Sequence, residues 1–305
     1  MASPAPTQAP ISDAAARHQV YLNRYANGLI ARILDLLRKS DDRASVEIQR
    51  RLDRLTQGDL FELTHPNWTT RRLLALRDEI RAMAQASRDI LAGRLVTELG
   101  DLAVYESEFQ QRMIAGAVKV DLDFVTPSRH TVVSAAIARP FQGRHMRDWI
   151  DGVVGSQSRH VLQTLREGYL LGETTPEIIS RLRTEGLQRT YREVELVTRT
   201  ATNHFASVAR EKLYEENASL IKAVVWVSTL DGRTSAICQA RDGIEYPVSK
   251  GPRPPAHPNC RSTTAPVMRT WAELGVDDFP EAGVGERPVV ADTRTRAPAA
   301  DRPGA

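Results

Sequence analysis

Apolar residues return every three or four positions through most of the first two hundred residues, the spacing that places them on one face of an α-helix. After Ser12, a candidate N-cap, Val20, Tyr21, Leu29, Ile30, Ile33, Leu36 and Leu37 follow this rule, with no proline before Pro66. A second run, Val46, Ile48, Leu52 and Leu55, ends near Gly58. A third starts after His65-Pro66-Asn67-Trp68-Thr69 and passes through Leu73, Leu76, Ile80, Met83, Ile90 and Leu91 toward Val118, with a break expected near Gly100. No heptad is sustained, so residues 11–140 read as elongated amphipathic helices packed on one another rather than as a coiled coil.

The helical pattern continues over residues 141–216. Asp121 to Thr126 reads as extended, Pro127-Ser128 opens a helix, and Ile150, Val153, Val154, Val161, Leu165 and Leu170 mark the next one. Thr175-Pro176-Glu177 is expected to be a cap followed by proline at the first helical position. Thr190-Tyr191-Arg192-Glu193 fits a capping box for a helix reaching about Glu216, with Val194, Val197, Ala201, Phe205 and Val208 on one face.

After Asn217 the texture changes. Ile221 to Leu230 is β-branched and aromatic, as in a strand; Asp231-Gly232-Arg233-Thr234 is a turn, with Thr234 placed to cap a short helix carrying Cys238. Asp242-Gly243 suggests a hairpin turn, with strands expected at Ile244 to Val248 and Thr264 to Met268. The predicted fold is mainly α, with a small α+β module at residues 217–280. Residues 1–10 and 281–305, rich in Pro and Ala, are expected to be disordered.

Composition narrows the function classes. The longest apolar runs, such as Ala223 to Val227, fall far short of the ~20 residues of a membrane helix, and the first ten residues lack the basic start and apolar core of a secretory signal. Both point to a soluble protein made in the cytosol. The charge is +3, and only five of the 41 basic residues are lysines. Arginine suits phosphate recognition, although a GC-rich genome produces the same bias.

Two cysteines exclude a disulfide scaffold, yet both lie in the 217–280 module. In His257-Pro258-Asn259-Cys260 the spacing around a Pro-Asn turn can aim an imidazole nitrogen and a thiolate at one point, as a zinc knuckle does. Cys238 could supply a third ligand. Asp231, His204 or a water are candidates for the fourth, and Zn2+ in a structural role is the expected metal. Two buried free thiols, or a disulfide, are the alternatives. Asp231 also suits backbone bonding in its own turn, Trp226 suits the module's core, and His204 a packing role beside an apolar helix face. Arg233 and Arg261 flank the cluster and are read as pairing with Asp231 or Asp242, with facing a phosphate as the alternative.

The string from Trp226 through Asp231-Gly232-Arg233-Thr234 to Cys238, then Asp242-Gly243, then Pro254-Pro255-Ala256-His257-Pro258-Asn259-Cys260-Arg261-Ser262-Thr263, resembles the C-terminal domain of the phage head-morphogenesis family, the Mu F-like minor head proteins. Gly172 to Arg183 and the helix with Arg199-Thr200 and Ala209-Arg210 resemble the first half of that domain, so the likeness covers roughly residues 145–268. The resemblance implies a non-enzymatic minor head protein of a tailed phage or prophage. Such a protein is made in the bacterial cytoplasm and built into the virion near the portal. It implies the portal protein as partner, with the major capsid or scaffolding protein and packaged DNA as further ones, and a part in head assembly and DNA packaging or ejection. The family's recurring Asp, Cys or His, His and Cys positions fall on Asp231, Cys238, His257 and Cys260.

Two other classes compete. A zinc-dependent nuclease or hydrolase needs an open metal position and a general base; the nearest carboxylates, Asp231 and Asp242, have simpler turn roles, and no HExxH motif is present. A DNA-binding module rests only on modest basicity. The ADP-ribosyltransferase pattern fails on order, because Glu193-Val194-Glu195 precedes the Ser228-Thr229 strand, and Walker A and dinucleotide glycine patterns are absent. The 11–140 helices, joined by polar turns, suit docking on a large oligomer such as the portal.

Overall fold

The helical periodicity is realised in fewer and longer pieces than the sequence suggests. The computed structural model describes residues 8–65, 67–118 and 123–274. Helix α1 runs unbroken over Gln8–Leu52 and α3 over Arg71–Val118, with the short α2, Gln57–Leu63, between them. Thus α1 starts inside the segment expected to be disordered, four residues before Ser12, and Pro10 sits in its first turn, where a missing N–H costs nothing. The expected tail at 281–305 and the first seven residues lie outside the described residues. Helix α2 carries a full capping box, with Thr56 and Asp59 satisfying each other's free amides.

No break occurs at Gly100. A Cβ there would stand 3.0 Å from Arg129 Nη2 and 3.3 Å from Val133 Cγ2, so the glycine lets the next helix, α4 (Arg129–Ala138), approach α3. Ser128 caps α4 by accepting from Thr131 N.

Helix α5 covers Met146–Leu170 and α6 Thr175–Arg181. The cap of α6 is Thr174, boxed with Glu177, one residue before the position inferred from Pro176. A π-helical turn, Leu182–Gly186, follows and leads into α7, Leu187–Glu216. Thr190 and Glu193 are consequently interior to α7 rather than a capping box. Their neighbour Tyr191 is buried and donates its hydroxyl to Asp41 (2.9 Å).

The C-terminal module carries a three-stranded antiparallel sheet in the order β2-β1-β3, from β1 (Ile221–Val227), β2 (Glu245–Pro247) and β3 (Thr263–Met268). Val225 pairs with Glu245 on one side and Ala265 on the other. Gly243, at φ +75, makes the turn into β2, a conformation a side chain disfavours. Pro247 shortens the β2 edge, which blunts further strand pairing. Helix α8, Ala236–Arg241, lies between β1 and β2.

Two compact units arise from alternating stretches of chain: Met1–Ala26, Thr97–Gly143 and Arg199–Ala305 in one, Asn27–Val96 and Arg144–Thr198 in the other. In the first, Ile11, Ala14 and Ala15 of α1, Phe109, Met113 and Ile114 of α3, and Leu213 and Tyr214 of α7 pack with Ile221, Val224, Ala265 and Val267 of the sheet. Beside this core Glu106 accepts from Arg210 Nη1 (2.9 Å) and contacts His18 Nε2 (2.6 Å), all three buried. Burial alone would raise the Glu106 carboxyl, but His18 and Arg210 outweigh it and pull the group down to about 2.

In the second unit Asp41 is 1% exposed. Besides the Tyr191 hydroxyl it accepts from Gln157 Nε2 (3.1 Å). Desolvation pushes its carboxyl up to about 7, against the pull of those two hydrogen bonds. Among the described residues no helix is long and apolar enough to cross a membrane.

Candidate metal centre

Strand β1 ends in a hydrogen-bonded frame that positions the first cysteine. Trp226, fully buried, donates Nε1–H to Ser228 Oγ (3.0 Å), and that hydroxyl bonds the Cys238 carbonyl (2.9 Å). Asp242 accepts from Ser228 N (2.7 Å), which ties the far end of α8 back to the strand. The α8 cap is Ser235, accepting from the amide of Cys238, rather than Thr234, whose hydroxyl turns back to the Thr229 carbonyl.

The second arm is the loop before β3. Asn259 adopts φ 58, a left-handed conformation that asparagine tolerates, and Cys260 N closes the turn on the His257 carbonyl (3.1 Å). That turn brings the two side chains of the His-x-x-Cys unit to one point. Helix α7 anchors the loop: Asn203 Nδ2 donates to the carbonyls of Cys260 (2.8 Å) and Ser262 (3.1 Å), and Thr200 Oγ1 accepts from Asn259 N (3.2 Å).

The result is a cluster of Cys238, His257 and Cys260, whose ligand atoms lie within 4.8 Å of one another. The two sulfurs are 3.7 Å apart, and Cys238 Sγ is 3.3 Å from His257 Nε2. Two thiolates bound at ~2.3 Å in a tetrahedron stand about 3.8 Å apart, so the sulfur spacing fits one shared metal ion. His257 Nδ1 lies 2.8 Å from the Pro258 carbonyl, which has to accept its proton. This leaves the Nε2 lone pair facing Cys238 and the Ser235 hydroxyl (2.8 Å), the tautomer a metal requires. Both cysteines are free and buried. Burial raises the Cys260 thiol above its ordinary range, with Cys238 beside it adding to the effect, while backbone hydrogen bonds from Ala256 and Ser262 favour the thiolate.

The other two candidates stand apart from the cluster. Asp231 receives both Arg261 nitrogens in a bidentate pair (2.7 and 2.6 Å) and the Arg233 amide (2.8 Å). The Arg261 guanidinium, helped by that amide, holds its carboxyl well below the usual range. His204 is buried on α7, with Nε2 bonded to the Ala136 carbonyl (2.9 Å), and burial depresses its pKa to about 4. Three of the candidate ligand residues, Cys238, His257 and Cys260, are therefore brought together.

Ser235, Thr200 and Asn203 were not singled out from the sequence. A signal for the last two exists in the polar residues Thr198, Thr200, Thr202, Asn203 and Ser207, all buried among the apolar positions of α7. Buried polar side chains need partners, and here the loop before β3 supplies them for Thr200 and Asn203.

Residues 159–265 match the model of one protein family. It is described as Phage Mu protein F like protein. The matched segment covers about a third of the chain, from within α5 into β3, and contains Cys238, His257 and Cys260. The similarity connects this part of the chain to phage proteins in general. No curated protein and no solved structure matches the chain.

Proposed function

We propose that the protein is a non-enzymatic minor head protein of a tailed phage or prophage, incorporated near the portal, whose Cys238-His257-Cys260 centre holds a structural Zn2+. The observation that carries this reading is that the segment similar to Phage Mu protein F like protein contains the whole cluster. Zinc would tie α8 to the loop before β3, whose apolar contact is a small cluster of Cys238 and Cys260 packed on Trp226 of β1. Small modules with little core commonly gain their stability from such a cross-link. A water would complete the coordination, since Asp231 is engaged by Arg261.

Support for a structural rather than catalytic metal is that, among the described residues, the two carboxylates considered as a general base are engaged elsewhere: Asp231 is committed to arginine, and Asp242 accepts from the Ser228 amide. The portal as partner, a role in packaging or ejection, and residence in the virion follow from the family likeness and are part of the proposal.

Two measurements test it. Native mass spectrometry with metal analysis of the purified full chain should find one zinc per chain, lost in Cys260→Ser together with much of the module's stability. Co-expression with the portal protein of the same phage genome should recover a complex. Metal-free wild type would overturn the zinc centre, and a portal protein that does not co-purify with the full chain would overturn the portal as partner.

A further inference from the structure

Cys238 and Cys260 are the chain's only cysteines, and their sulfurs touch at 3.7 Å. The backbone around each is fixed by bonds that do not use the sulfurs. The Cys238 amide donates into the Ser235 cap, and its carbonyl accepts from Ser228 Oγ. The Cys260 amide donates to the His257 carbonyl, and its own carbonyl accepts from Asn203 Nδ2. Trp226 backs the two thiols in a small apolar cluster. The pair is therefore kept adjacent by its frame, whatever the sulfurs themselves are bound to.

The cover over the sulfurs is thin. Both cysteines are buried, yet Ala236, Ile237, Gln239 and Ala240 around Cys238 are exposed, as are Pro258 and Asn259 before Cys260. Helix α8 is six residues long. A helix so short gains little from its own hydrogen bonds and opens locally, which admits a small oxidant. The proposed function carries the chain from a reducing bacterial cytoplasm to a released particle, a setting in which thiol pairs oxidise.

We propose that Cys238 and Cys260 form a redox pair: reduced, they hold the metal with His257; oxidised by a peroxide, they close a disulfide that releases it and still ties α8 to the loop before β3. Peroxide converts one thiol to a sulfenic acid, its O–O bond breaking and one oxygen leaving as water. The second sulfur then displaces the sulfenic oxygen as water and forms the S–S bond. Two thiols lose two electrons, and one hydrogen peroxide is reduced to two waters; a pair bound to metal as thiolates draws the two protons from solvent. Because the second sulfur is already in contact, ring closure outruns further oxidation. Metal ligation needs the thiolate form, so the disulfide leaves His257 as the single ligand of the three. The release step rests on the zinc reading above, whereas the disulfide does not.

The test exposes the reduced full chain, assayed for zinc beforehand, to dilute hydrogen peroxide. Mass spectrometry should show the loss of two hydrogens, proteolysis should join the peptides carrying Cys238 and Cys260, and a zinc indicator should report release in step with the bond. A dithiol reductant with added zinc should reverse both changes. A chain purified without zinc overturns the zinc reading and with it the release step, while the peptide link is still measured on that metal-free chain and decides the pair. Thiols that survive excess peroxide, sulfinic products in place of the link, or cross-links only between chains overturn the redox pair. Zinc retained after the disulfide has formed overturns the exchange.

Discussion

Replacing Asp41 by Asn should stabilise the protein, and more so as the pH rises. Asp41 is 1% exposed, and the groups facing it are the Tyr191 hydroxyl and the Gln157 amide, neither of which carries a compensating positive charge. Of the nearby charges, Arg38 lies over the Tyr191 ring at 5.5 Å and Asp42 pairs with Arg183. The carboxyl is raised from 3.8 to about 7. An acid whose folded pKa is raised binds more protons folded than unfolded. Its contribution is therefore fully present below about pH 4 and is lost as pH climbs through 7. At 1.36 kcal/mol per unit the full ionisation cost is about 4 kcal/mol above pH 8, and about 2.5 kcal/mol of it accrues between pH 5 and pH 8. Asparagine cannot ionise, and its amide offers a donor to Gln157 Oε1, which is buried without a partner. Urea unfolding of wild type and Asp41→Asn, followed at pH 5 and pH 8 by hydrogen exchange of Asn27–Val96 and Arg144–Thr198, measures the difference. The variant should gain about 2–3 kcal/mol relative to wild type across that interval. Parallel pH dependences, or a variant less stable than wild type at pH 8, would refute the reasoning.

Three further outcomes are expected. Asn203→Ala removes the two hydrogen bonds that Asn203 donates to the loop before β3, and should cost about 1–3 kcal/mol and, with the proposed zinc bound, weaken metal retention against a chelator, read by competition with a zinc indicator. Arg210→Met leaves the buried Glu106 with His18 and the neutral Gln110 amide, and should cost about 3–5 kcal/mol, whereas Arg210→Met with Glu106→Gln should recover part of that loss in denaturant melts. Gly168→Ala puts a Cβ 2.6 Å from Ile178 Cγ1, so α5 and α6 have to separate, and the melting temperature should fall by several degrees.

The sequence's periodicity determined most of the secondary structure, because burial of one helix face or one strand face leaves a local imprint. Strands β1 and β3, the helix start at Pro127-Ser128 and the end of α5 at Leu170 were all legible in that way. The spacing of His257 and Cys260 likewise exposed the candidate metal cluster, since a four-residue turn is a local object, and Cys238 stood out as the other of the chain's two cysteines, in the same module. What tertiary packing decided was everything that depends on distant neighbours. Gly100 reads as a breaker until Arg129 and Val133 are placed against it; Thr190 reads as a cap until Tyr191 is found buried on Asp41. The ligand set followed the same division. Asp231 is claimed by an arginine 30 residues later and His204 by a carbonyl 68 residues earlier, while Asn203 and Thr200 reach the loop from 57 and 59 residues away. Hydrogen-bond competition of that kind is settled only when the chain has folded, because a polar side chain's partner is chosen by proximity in space rather than along the sequence.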